Sequence, residues 1–92
     1  MVIWKYELPW AFNQMISVSM PKYSKLLSAQ EQNGKLVVWA VILDPGKPLE
    51  SRRFFIAPTG ETLPDECPFM NFFATVQVGA LVFHVFDYRV DL

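Results

Sequence analysis

Seven prolines and four glycines cut this chain into short runs, and inside those runs the apolar side chains recur with a period of two. Few runs are long enough for a helix of ordinary length. The pattern restricts the chain to short strands joined by turns.

The strands can be placed one by one. Val2 to Leu8 alternates Val2, Trp4 and Tyr6 against Ile3, Lys5 and Glu7 until Pro9 ends it. A second strand is expected from Asn13 to Met20, ended by Pro21, and residues 21–25 read as a turn or a single helical turn. Lys25 to Gln32 leads into Asn33-Gly34 and then Lys35 to Leu43. Asn-Gly between two such runs predicts a hairpin, because a type I′ turn needs positive φ at both central residues. The run from Leu36 to Leu43 is apolar at every position, which predicts a central strand covered on both sides. Ser51 to Ala57 reads as a fifth strand, closed by Pro58-Thr59-Gly60, and Glu61 to Pro68 as an exposed loop. Asn71 to Val78 and Leu81 to Tyr88 form a last pair around Gly79-Ala80, which fits a two-residue type II′ turn. The fold class expected is all-β, or mainly β with at most one short helix. About seven short antiparallel strands would form a small sandwich or a partly closed barrel.

With 92 residues the chain fits one domain, residues 1–92, and so short a chain needs a dense core. It is 52% hydrophobic and only 18% charged, the reverse of the balance that keeps chains disordered. A net charge of −1 removes the basic footprint of non-specific nucleic-acid binding. Cys67 is the only cysteine, so no intrachain disulfide forms and a disulfide-stapled secreted domain is excluded. The first eight residues lack the pattern of a signal peptide. The uncharged stretch from Cys67 to Phe86 is long enough to span a bilayer as a helix. Pro68, Asn71, Gln77, Gly79 and His84 inside it favour a buried hairpin, so no membrane association is expected.

No P-loop, dinucleotide fingerprint, metal-ligand cluster or nucleophile–histidine arrangement is present in the sequence, so no enzyme activity, cofactor or metal is expected. The candidate binding residues are few. His84, the only histidine, shares a strand face with Val82 and Phe86; it reads as a structural histidine bonded to backbone or Tyr rather than a general base. Arg52 and Arg53 leave opposite faces of their strand. An inward arginine beside Phe54 or Phe55 would hold a phosphate or carboxylate, or would form a structural ion pair with Glu50 or Asp44. Trp10, between Pro9 and Phe12 in an expected loop, is either core or a contact surface, whereas Trp39 reads as core. Thr59 precedes Gly60 after a strand, a weak sign of a phosphate-binding turn.

Several segments taken together resemble a family of small uncharacterised phage and prophage proteins. They are Ile3-Trp4-Lys5-Tyr6, Ser19-Met20-Pro21-Lys22, Arg53-Phe54, Thr59-Gly60, Thr75-Val76-Gln77-Val78-Gly79 and Leu81-Val82-Phe83-His84-Val85-Phe86. Pro58 stands where that family usually has glycine, and the loop from Pro64 to Phe72 is longer than usual. The resemblance implies an accessory protein of the bacterial host cytoplasm with no enzyme activity and no assigned site. The function expected on that basis is to counter host defence, by sequestering or blocking a host defence protein or a small nucleotide-derived signal. The alternative is a phage structural or assembly protein. A homo-oligomer is expected under either reading. A small hydrolase, a third reading, rests on His84 alone.

Overall fold

The computed structural model describes residues 1–65 and 70–88. Seven strands follow one another: β1 (Val2–Leu8), β2 (Met15–Pro21), β3 (Lys25–Gln32), β4 (Lys35–Ile42), β5 (Leu49–Pro58), β6 (Met70–Val78) and β7 (Leu81–Tyr88). They pair antiparallel into a three-stranded sheet of order β1-β4-β3 and a four-stranded sheet of order β2-β5-β7-β6. The described residues contain no helix, and the sheets pack face to face as a sandwich without closing into a barrel. β3 runs beside β6 along one side, joined by packing rather than by a ladder. Cys67 and the end of the loop expected at Glu61 to Pro68 lie outside the described residues.

The period of two decides which side chains meet. Leu36, Val38, Ala40 and Ile42 of β4 face Ile16 and Met20 of β2, Phe54 and Ile56 of β5, and Phe83 and Val85 of β7 across the interior. A large apolar side chain fully buried there contributes roughly 1.5–3 kcal/mol. The turns show the chemistry that specifies them. Asn33 and Gly34 have φ of 54° and 82°, and Gly79 has φ of 59°, followed by Ala80 without positive φ. These are the backbone signs of a I′ and a II′ turn. Tyr23, at φ 67°, makes the third residue of a turn in which Ser24 N–H and Oγ–H both donate to the Pro21 carbonyl, at 3.3 and 2.5 Å.

Three expectations need correction. β2 begins at Met15 rather than Asn13, because Asn13 takes a left-handed φ of 59° and its N–H donates to the Ile56 carbonyl. β5 is longer than expected, starting at Leu49. β4 is central and its inner residues are buried, but on its outer face Val37 is buried whereas Trp39 and Val41 are half-buried. Trp39 therefore lies between Lys5 and Ser28 rather than in the core.

Candidate functional site

Alternation along the four-stranded sheet splits the candidate residues between two faces. Arg52 points into the sandwich and Arg53 out of it. The Arg52 guanidinium is buried, with Nη1 donating to the Ser24 carbonyl at 2.8 Å and lying 3.8 Å from a Glu50 carboxylate oxygen. Its Nη2 lies 3.8 Å from Asp87, itself buried on β7. These neighbours make Arg52 a structural cation. Its charge is spent on Glu50, as the sequence allowed, and on Asp87.

Trp10 is half-buried at one end of the sandwich. Its ring packs 5.3 Å from Phe83 and 6.3 Å from Phe12, and Phe12 stacks on Phe83 at 5.0 Å. Trp10 Nε1–H donates to the Gly34 carbonyl at 2.9 Å, which ties the loop after β1 to the tip of the β3–β4 hairpin. An aromatic with both its ring and its polar tip engaged is a fixed closure of the core.

The outer face of the four-stranded sheet gathers the remaining candidates. Across it the register sets Met15 beside Phe55, Phe55 beside Phe86, and Phe86 beside Phe72. The next row towards the start of β5 holds Arg53, Tyr88 and Met70. The next row in the other direction holds Ala57, His84 and Thr75. Phe55, Ala57 and Met70 are buried beneath Phe86 and Tyr88, so this face has a small apolar cluster of its own. Phe72, 62% exposed, and Met15, 41% exposed, stand out from it, and Phe72 meets Phe86 edge-on at 6.1 Å. Arg53 is exposed, and the outward residues of these four strands include no acid among those described.

His84 sits at one end of this face, held by two hydroxyls. Thr59 Oγ donates to the Val82 carbonyl at 3.1 Å and lies 2.7 Å from His84 Nε2. Thr75 Oγ lies 3.1 Å from Nδ1. Donation from Thr59 Oγ–H to Val82 is compatible with the tautomer in which Nε2–H donates to the Thr59 oxygen and Nδ1 accepts from Thr75. The His84 ring is thus bonded to two threonine hydroxyls, where backbone or Tyr partners were expected. Thr59 and His84 come together, whereas Trp10 and Arg52 lie elsewhere. Thr75 was not singled out, although a two-residue turn at Gly79-Ala80 fixes its place opposite His84 by counting back along both strands.

An open groove of about 230 Å³ also lies along the seam between β3 and β6, lined by Ala29, Gln30, Glu31, Thr75, Val76 and Gln77. Among the described residues no three His, Cys, Asp or Glu side chains are grouped to hold a metal ion, and no helix is long and apolar enough to cross a membrane. A family model described as a domain of unknown function (DUF7352) matches residues 1–91. No curated protein and no solved structure matches the chain.

Proposed function

We propose that the chain, which belongs to the DUF7352 family, is a non-catalytic binding protein that holds a protein partner on the outer face of its four-stranded sheet. The observation that carries this reading is the uncovered aromatic cluster around Phe72 and Phe86. The outer face of an antiparallel sheet is ordinarily polar, and contiguous apolar surface on a small protein marks a contact. The face is one side of an antiparallel sheet, and small-molecule ligands favour enclosed pockets. A protein surface is therefore the better occupant than a nucleotide-derived signal. Arg53, with no acid beside it on the face among the described residues, fits a partner whose apolar patch carries a carboxylate.

The resemblance to phage and prophage proteins supports a role in countering host defence within the bacterial cytoplasm, with a host defence protein as the partner. Affinity capture from defence-active cells, with the wild type and a Phe72→Asp variant as baits, tests the reading. One host protein held by the wild type should be lost from the variant and should rebind when purified. Equal capture by both baits, or retention of a nucleotide and no protein, would refute it.

A second reading, a structural or assembly protein acting through self-association, is favoured by the same exposed face. Recovery of the chain in purified virions would support that reading over the first.

A further inference from the structure

We infer that β2 is a dimerisation edge, pairing with β2 of a second copy about a two-fold axis to join two four-stranded sheets into one. The inference does not depend on the outer face proposed above.

The sandwich has four edge strands: β1, β3, β2 and β6. Exposed edges invite pairing with other chains, and proteins blunt them with charges, bulges or cover. Three of these edges are blunted. β1 carries Lys5 and Glu7. β3 and β6 each carry a bulge, between Leu26 and Ser28 and between Phe72 and Ala74, and lie against one another. Among the described residues β2 carries neither a charge nor a bulge, and it meets β1 far less than β3 meets β6. Its sequence MISVSMP holds no charge, and its register with β5 runs unbroken from Met15 to Pro21.

The direction of its backbone groups follows from one hydrogen bond. Lys22 N–H donates to the Pro48 carbonyl at 2.9 Å, which continues the register that sets Pro21 against Leu49. Hydrogen-bonded pairs alternate in an antiparallel ladder. Ile16, Val18 and Met20 therefore turn their N–H and C=O groups to β5, and Met15, Ser17 and Ser19 turn theirs to the free edge. Pro21 falls in the outward set, where its missing N–H costs the ladder nothing. Its carbonyl is already taken by Ser24. The free edge thus offers three residues and then stops.

An antiparallel partner that uses all three sets Ser17 against Ser17 of the second copy and Met15 against Ser19. This gives about six backbone hydrogen bonds. On the inner side it sets Ile16 against Val18, two β-branched residues, and on the outer side it brings no like charges together. A two-fold interface needs a patch complementary to itself, and β2 is one. The occupant is accordingly a second copy of this chain.

The test is light scattering and cysteine cross-linking on the full chain. The wild type should run at about twice its 10.6 kDa mass. Ser17→Lys puts two ammonium groups at the axis while leaving the β5 ladder intact, and should weaken the dimer by at least tenfold. In a Cys67→Ser background, Ser17→Cys should form an intermolecular disulfide, because residues in a hydrogen-bonded pair lie about 5.5 Å apart, within disulfide range. Ser51→Cys, exposed one strand further in, should not cross-link. A wild-type monomer at several hundred micromolar, a dimer unchanged by Ser17→Lys, or equal cross-linking at Ser51 would overturn the inference.

Discussion

Arg52→Met should destabilise the fold by about 3–5 kcal/mol, the usual cost of removing one member of a buried ion pair. The structure supports the upper part of that range. The Arg52 and Asp87 side chains are 7% and 11% exposed. Losing the guanidinium removes a cation from beside the buried Asp87 carboxylate and the donor from the buried Ser24 carbonyl. Asp87→Leu should cost less, about 2–3 kcal/mol, because Arg52 keeps Glu50 and the Ser24 carbonyl. Nη2 and the Asp87 oxygen lie 3.8 Å apart, in ionic contact but beyond hydrogen-bond distance. The attraction therefore offsets desolvation incompletely. The double variant Arg52→Met, Asp87→Leu should lose less than the two single costs summed.

Urea unfolding followed by tryptophan fluorescence reads this directly. With a slope near about 1.5 kcal/mol/M, the single arginine variant should lose about 2–3 M in midpoint. A domain of this size has only about 5–14 kcal/mol in total, so the loss is large. The reasoning fails if Arg52→Met costs under about 1 kcal/mol, or if the double variant is as unstable as the two single costs summed.

Trp10→Phe keeps the packing on Phe83 but loses the bond to Gly34, and should cost about 1 kcal/mol in the same assay, against about 3–5 for Trp10→Ala. Gly34→Ala meets no atom within 4 Å, so its cost is the backbone strain at φ 82° alone, about 1–2 kcal/mol. Burial raises the Tyr6 pKa above its ordinary value. The folded state then holds this proton more tightly than the unfolded one, so stability is intact below about pH 10 and falls as pH rises beyond it. Thermal melts from pH 8 to 11 should show that fall, and Tyr6→Phe should reduce it. Nitrogen shifts of His84 at high pH should report the Nε2–H tautomer, and Thr59→Val should redistribute it.

The strands were legible because their turns carry local chemistry. Asn33-Gly34 and Gly79-Ala80 each need particular φ signs, and such turns set the register of both hairpins for several residues. What local pattern could not supply was the pairing of distant strands. That Arg52 meets Asp87 depends on β5 lying beside β7, and nothing near either residue announces it. Trp39 misled for a related reason. An all-apolar run implies two covering layers, but long cross-strand neighbours can half-cover a central strand without one. The outer aromatic face was hidden because Phe55, Phe72 and Phe86 belong to three different strands.

The face and the edge impose different demands on β2, and its sequence meets both. Met15 turns its side chain to the outer aromatic row beside Phe55 while its backbone belongs to the free edge. Pairing two copies through β2 would set two such rows on one continuous sheet, with the Met15 side chains near the junction. Each outer face would stay open, since edge pairing consumes backbone groups and not the ring faces of Phe72 and Phe86. Two faces on one rigid sheet would engage a symmetric or repeating partner together, with an avidity that neither has alone. Ser19→Pro separates the two features, because it removes an N–H from the free edge and lies opposite Ser51, two rows away from Phe55. It should abolish the avidity and leave the affinity of a single face unchanged, whereas Phe72→Asp should abolish binding and leave the dimer intact.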